Sequence, residues 1–144
     1  LTTANALTLI INNKKMEHDF IFYFGVIVWV IGIVFEIVAD EQKRIFRLEK
    51  NNESKFISSG LWSISRHPNY FGEIVLWIGI AIISVPSLSG FQYVTLISPL
   101  FITLLLTKIS GVNLLEDHAD KKWGSLPEYI KYKKETSVLV PFIK

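Results

Sequence analysis

Three long apolar runs divide the chain. Residues 20–39, 71–88 and 91–107 are almost entirely hydrophobic, and polar segments flank each of them. The first run, at about 1.5 Å per residue in an α-helix, spans roughly 30 Å, which is the hydrocarbon thickness of a bilayer. The pattern therefore predicts an all-α protein, a polytopic transmembrane helical bundle with cytosolic interfacial helices.

Prolines and short polar stretches predict where these helices end. Pro86 ends the second span, and the link "SLSG" to the third span predicts a tight helical hairpin. Pro99 lies inside the third span, where a proline kinks rather than ends a membrane helix if neighbours satisfy the freed carbonyl. The stretches "NNESK" at 51–55 and "SSG" at 58–60 predict loops, so we expect the first helix to continue beyond Asp40.

Basic residues are unevenly distributed among the polar segments. Six lysines and arginines lie in segment 40–70, seven lie in tail 108–144, and none lies in the hairpin link. By the positive-inside rule, the loop 40–70 and the C-terminus are predicted to be cytosolic in a multi-pass integral membrane protein.

Composition narrows the chemistry. Half of the residues are hydrophobic and there is no cysteine, so disulfides, zinc-thiolate sites and thiol nucleophiles are excluded. The basic residues alternate with nearly as many acids beside apolar runs, which speaks against nucleic-acid binding. The chain begins with leucine and lacks a charged signal-peptide region. We therefore expect residues 1–144 to form a single transmembrane domain that is a fragment of a longer protein.

The first candidate site follows the first span. Glu36, Asp40, Lys43, Arg44 and Arg47 share one broad face of the predicted helix. They fit a solvated helix end with an Asp40–Arg44 ion pair, or a polyanion site in which the two arginines and the lysine bind phosphate oxygens and the carboxylates accept from ribose or amide donors. Glu36 favours the second interpretation, because ionisable residues inside a membrane span are usually functional.

The second candidate site is "SRHPNYFGE" at 65–73, just before the second span. Pro68 suits the first turn of a helix, where its missing N–H had no partner, and this start makes Asn69 and Glu73 neighbours one turn apart. Backbone N–H groups at such a helix start attract anions. An alternative interpretation is a set of interfacial anchors. The candidate residues here are Arg66, His67, Asn69, Tyr70 and Glu73.

The third candidate site is the polar tail. Glu116 and His118 are the candidates here, but an amphipathic helix at the membrane surface explains the tail's alternating lysines and aromatic residues without a ligand. The tail has no HExxH or comparable ligand spacing, so no metal site is predicted.

From about residue 33 onward, the chain resembles the C-terminal region of the steroid 5α-reductase family, in particular its uncharacterised membrane-protein branch. The resemblance rests on "FEIVADEQKRIFR", on "GLW" followed by "SRHPNYFGE", and on "LLEDHADKKWGSLPEYIKYKKETSVLVPF". The "RHP" element and the tail pattern are shared with the isoprenylcysteine carboxyl methyltransferases, which have a related fold.

The resemblance implies that this region is the cytosol-facing part of a membrane bundle that cradles NADPH. Asp40, Arg44 and Arg47 match family positions implicated in holding the dinucleotide. Asn69 and Glu73 match the amide and carboxylate that contact its nicotinamide end. Arg66 and His67 match the methyltransferase and sterol-reductase pattern. The tail residues Glu116 and His118 align with the family only across a gap.

We accordingly predict a membrane-embedded, NADPH-dependent oxidoreductase that reduces a conjugated C=C bond of a sterol or other lipid. The chain would be mainly its cofactor-binding half, with membrane lipids and a hydrophobic substrate as partners. In the steroid 5α-reductases, the glutamate and tyrosine that act on the enone lie upstream of this region. Tyr70 is the candidate proton donor here.

Two alternatives stay open at the level of sequence. One is an S-adenosylmethionine-dependent methyltransferase of the isoprenylcysteine carboxyl methyltransferase type, supported by "RHP" and the tail. The other is a non-catalytic lipid-binding membrane protein.

Overall fold

The computed structural model describes residues 20–109 and 111–143, and every regular element in this part is helical. The α-helices are α1 (Phe20–Leu48), α2 (Pro68–Ser84), α3 (Ser98–Leu104), α4 (Val112–Trp123) and α5 (Pro127–Glu135). Short 3-10 helices cover Lys50–Asn52, Gly60–Ser63, Val85–Ser87 and Gly90–Ile97, and a π-helix covers Leu105–Ile109. The predicted all-α class is confirmed.

Three helical stretches are long and apolar enough to cross a membrane. They are Phe20–Leu48, Pro68–Ser87 and Gly90–Trp123. Helix α1 runs on past the apolar residues to Leu48, as the loop signals predicted, and α2 begins at Pro68. The chain is therefore integral to a membrane.

Helices α1 and α2 pack through glycines. A methyl group built on Gly72 of α2 would lie 2.5 Å from the backbone nitrogen of Glu36 in α1, and one built on Gly79 would lie 2.5 Å from that of Trp29. Glycines let two membrane helices bring their backbones together, where packing and weak contacts replace the hydrophobic effect. This close approach fixes the position of α2 against the charged end of α1.

Pro99 changes the helix type rather than ending the third span. The segment before it is a 3-10 helix, and Pro99 is the second residue of α3. A proline leaves the carbonyl four residues earlier without its α-helical donor. That carbonyl belongs to Thr95, and it accepts a 2.7 Å hydrogen bond from the Ser98 hydroxyl.

The segment after α5 returns to the start of α2. Ser65 and Ser137 form an isolated bridge, in which the backbone N–H of Arg66 donates to the Ser137 carbonyl at 2.9 Å. The Ser65 hydroxyl donates to the Leu139 carbonyl at 2.7 Å. These bonds connect the residues just before α2 to the segment that follows α5, beside the candidate site.

Candidate functional site

A cavity of about 610 Å³ lies between the charged end of α1, the loop after it, the start of α2, and helices α4 and α5. Cations and aromatic rings dominate its walls. The lysines and arginines are Lys43, Arg47, Lys55, Arg66, Lys121 and Lys122, and the aromatic residues are Phe46, Phe56, Trp62, Trp123, Tyr129 and Tyr132. The only acids among the described lining residues are Glu53 and Glu116. Such a cavity suits a ligand that carries both negative charge and flat rings.

Arg66 is the most deeply placed of these cations. Its side chain is only 9% exposed, and Nη1 lies 2.7 Å from Oε2 of Glu116. Within residues 20–109 and 111–143, its Nε has no hydrogen-bond partner, whereas Nη1 is paired with the Glu116 carboxylate. A guanidinium group has five donors, and a buried donor without a partner is costly. The cavity wall therefore holds a nearly buried cation that is paired with one carboxylate.

Glu116 lies at the centre of a cluster of charged side chains. Its Oε1 lies 2.9 Å from Nε2 of His67, and its Oε2 lies 3.6 Å from the Lys133 amine. Lys133 also contacts Asp120, at 2.6 Å. The cluster joins the start of α2 to α4 and α5.

Aromatic rings form one side of the cavity. The Phe56 ring lies 5.1 Å from that of Tyr129 and 5.3 Å from that of Tyr132, measured between centroids. Burial raises the pKa of Tyr129 to about 12, with the negative charges of Glu116 and Asp120 acting in the same direction. Tyr129 therefore stays neutral at physiological pH.

Hydrogen bonds connect the loop after α1 to α4. The Trp123 indole donates to the Ser54 carbonyl at 2.6 Å, and the Lys122 amine approaches the Glu53 carbonyl at 3.4 Å. Bonds between segments this far apart in sequence give the cavity a formed wall.

The structure separates the predicted site residues into two groups and leaves one apart. Arg47, Arg66, His67, Glu116 and His118 line the cavity. Asp40, Glu36, Tyr70 and Glu73 interact electrostatically with one another between α1 and α2. Asn69 is half-buried in the first turn of α2, beside the second group. Arg44 is exposed and does not line the cavity.

Arg44 pairs with a different residue from the one the sequence suggested. Its Nη2 lies 2.6 Å from Oε1 of Glu41, and both side chains are largely exposed. The predicted Asp40–Arg44 pair is replaced by this contact between residues three positions apart. Both spacings bring side chains together on a helix.

His67 connects the two groups. It lines the cavity, and its ring stacks on that of Tyr70 at 5.8 Å between centroids and 13° between planes. The cavity wall and the polar group between the helices are therefore one turn of α2 apart.

Several cavity residues were missed from the sequence. The polyanion interpretation of the α1 face includes Lys43, but the set of cofactor-binding residues does not, and Trp62 enters the sequence analysis only through the "GLW" resemblance. Lys43 lies over the Trp62 ring at 4.8 Å, and the Trp62 indole donates to the Ala39 carbonyl at 3.0 Å. The alternation of lysines and aromatic residues in the tail could have indicated these cavity residues, because several of the same tail side chains line the cavity. In the described part of the chain, no group of three or more His, Asp or Glu residues is arranged to hold a metal ion.

Comparison with known families identifies the chain's relatives. A family model described as "Protein of unknown function (DUF1295)" matches residues 1–136. The chain belongs to this family. No solved structure matches it.

Curated relatives confirm the resemblance to the steroid 5α-reductases. The mouse protein "3-oxo-5-alpha-steroid 4-dehydrogenase 1" is 29% identical over 122 residues, which is 85% of this chain and 42% of the mouse protein. "Steroid 5-alpha-reductase DET2" of Arabidopsis thaliana is 31% identical over 65 residues, 44% of this chain and 24% of that protein. "Probable O-methyltransferase ustE" of Ustilaginoidea virens is 33% identical over 60 residues, 42% of this chain and 21% of that protein. The chain thus spans less than half the length of each of these relatives.

Proposed function

We propose that this chain is the cofactor-binding part of a membrane-embedded, NADPH-dependent oxidoreductase that reduces a conjugated C=C bond of a sterol or other lipid. The observation that carries the proposal is the cavity, whose described lining holds six lysines and arginines and six aromatic rings against two carboxylates. The likeness to proteins named steroid 5-alpha-reductase and 3-oxo-5-alpha-steroid 4-dehydrogenase supports the class of reaction.

The lining residues fit a phosphorylated dinucleotide. Arg66 and Arg47 line the cavity with two guanidinium groups, a type of group that can bind phosphate oxygens in a fork. The rings of Phe56 and Trp62 offer flat apolar surface for a base. NADPH differs from NADH by a 2′-phosphate, so an excess of cations favours the former.

The polar group between α1 and α2 is assigned to the reactive end of the cofactor. Asn69 and Glu73 lie one turn apart on α2, and they would bind the amide of the nicotinamide, as the family resemblance implies. NADPH, when bound, supplies the hydride. Tyr70, stacked on His67, is the proposed proton donor to the substrate.

A hydrophobic substrate is part of the same proposal. The apolar sides of α1 and α2 face the membrane, and a sterol or other lipid would reach the site from that direction. The loop 40–70 and the tail carry the cavity, and we assign them to the cytosol, where NADPH is available.

Titration of the full-length protein in detergent tests the proposal. NADPH, NADH and S-adenosylmethionine are added separately, and thermal unfolding and tryptophan fluorescence are recorded. A ligand that binds the folded state raises the melting temperature as its concentration exceeds Kd. We expect NADPH to raise it most, NADH less, and S-adenosylmethionine not at all. Stabilisation by S-adenosylmethionine alone would overturn the proposal in favour of a methyltransferase. The partial match to an O-methyltransferase is the reason for including this ligand.

Variants distinguish a reductase from a lipid-binding protein. The double variant Asn69→Ala, Glu73→Ala should lose NADPH binding while it keeps the wild-type melting temperature within a few degrees. Lys131→Gln is the matched control, because Lys131 is exposed on α5 and does not line the cavity. Unchanged NADPH binding in the double variant would favour a non-catalytic lipid-binding protein.

A further inference from the structure

Glu116 contacts an arginine, a lysine and a histidine that come from two other parts of the chain. Arg66 and His67 precede α2, and Lys133 lies on α5. The Arg66 and His67 side chains are 9% and 7% exposed. Glu116 is itself mostly buried, with 18% of its side chain exposed. A carboxylate in this position either takes part in binding or holds its neighbours in place.

The geometry assigns a separate task to each oxygen of Glu116. Oε1 meets Nε2 of His67 at 2.9 Å, and since an ionised carboxylate can only accept, Nε2 carries the hydrogen. Oε2 meets Nη1 of Arg66 at 2.7 Å. One carboxylate thus fixes the tautomer of the imidazole and the direction of the guanidinium.

Lys133 of α5 also contacts Glu116. Its amine lies 3.6 Å from Oε2 and also contacts both oxygens of Asp120, at 2.6 and 2.8 Å. Glu116 and Asp120 are one turn apart on α4. The carboxylate is therefore bound between α5 and the residues before α2.

We propose that Glu116 is a positioning residue of the nucleotide site: it orients Arg66 so that the guanidinium donors which Glu116 does not take face the bound phosphates, and it fixes the His67 ring beside them. This inference rests on the proposed function, because it assumes an anionic ligand in the cavity. Glu116 itself does not contact that ligand.

The direction in which NADPH affinity changes when the Glu116 charge is removed shows whether Glu116 orients the cations or merely lies near the ligand. A carboxylate near a phosphate repels it, so removing a bystander's charge would tighten NADPH binding. Removing a carboxylate that orients the cations would weaken it, because an unpaired guanidinium is no longer held towards the phosphates. We expect Glu116→Gln and Glu116→Ala to raise the Kd for NADPH at least tenfold.

The experiment compares these variants with Asp117→Asn in the full-length protein. Asp117 is the next residue on α4, is exposed and lies outside the cavity lining, so the control removes the same charge from the same helix. Asp117→Asn should bind NADPH within about twofold of the wild type. Equal or tighter binding by both Glu116 variants, with melting temperatures near that of the wild type, would overturn the inference.

A second measurement needs no nucleotide. Isotope-labelled histidine spectra of the wild type should show the His67 ring with its hydrogen on Nε2, and the signal is assigned by its loss in His67→Gln. In Glu116→Ala, the same signal should shift to the average of two tautomers. An unchanged signal would also overturn the inference. If the wild-type protein does not bind NADPH, the proposed function fails, and the histidine signal alone decides whether Glu116 orients His67.

Discussion

The hydroxyl of Tyr132 donates a hydrogen bond to the backbone carbonyl of Trp62, with 2.6 Å between the two oxygens. Tyr132 lies on α5, and Trp62 lies in the 3-10 helix Gly60–Ser63. The Trp62 indole in turn donates to the Ala39 carbonyl of α1. Through these two bonds, the tail is connected to the first membrane helix across the cavity, so the cavity depends on contacts between distant parts of the chain.

Tyr132→Phe removes only the hydroxyl that makes this bond. We expect the free energy of unfolding to fall by about 1 kcal/mol, the typical net value of one hydrogen bond. Thermal or chemical unfolding of the full-length protein in detergent measures it. Tyr93→Phe, at a half-exposed position in the hairpin, is the control and should change stability by less than about 0.5 kcal/mol. Equal effects of the two variants would show that the Tyr132 bond contributes nothing.

Gly72→Ala tests the packing of α1 on α2. The added methyl would lie 2.5 Å from the backbone nitrogen of Glu36 and 2.9 Å from its Cα. Because backbone atoms cannot rotate away, the two helices must separate, and we expect a loss of about 1–3 kcal/mol in the free energy of unfolding. Val34→Ile adds one carbon at a position of α1 that is 53% exposed, and it should be tolerated. If both variants unfold like the wild type, the two backbones do not approach as closely as described.

Arg47→Gln and Arg44→Gln distinguish the cavity from the helix face seen in the sequence. Arg47 lines the cavity, whereas Arg44 pairs with Glu41 outside it. We expect Arg47→Gln to raise the Kd for NADPH about tenfold, as for the loss of a charged phosphate contact. Arg44→Gln should raise it by less than about threefold. If Arg44→Gln weakened NADPH binding more than this, the dinucleotide would extend beyond the cavity to Arg44. The family resemblance implies such a contact, because it assigns both arginines to the dinucleotide.

The spans and the helix starts could be read from the sequence because they depend on local signals. Pro68 and the apolar runs act on their own neighbourhood, and the hairpin follows from a short polar link between two such runs. The observed start of α2 at Pro68 agrees with the expected start around this proline.

The division of the candidate site could not be read in the same way. Neighbouring residues on a helix point about 100° apart, so Lys43 and Arg44 can serve different surfaces although one broad face seemed to hold both. Which of them lines the cavity depends on where Trp62 and α4 pack. Phe56 could not be identified from the sequence either, because its role depends on tertiary contacts with rings on α4 and α5.

Tyr129 makes the stability of the tail depend on alkaline pH. Burial raises its pKa to about 12 in the folded protein, whereas an unfolded tyrosine ionises near pH 10. The neutral form is favoured by folding, so its contribution is complete below about pH 10 and is lost as the pH rises through about 12. We expect the melting temperature to fall across this interval, in step with tyrosinate absorbance.

Tyr129→Phe is the variant that tests this pH dependence. Phenylalanine does not ionise, so the variant should lose less stability between about pH 10 and pH 12 than the wild type. Tyr132, whose pKa burial also raises, remains in this variant and keeps part of the slope. Adding Tyr132→Phe should flatten the slope further. A slope that is equally steep in the wild type and the double variant would assign the alkaline transition to groups other than these two tyrosines, because a phenylalanine ring at either position has no proton to lose.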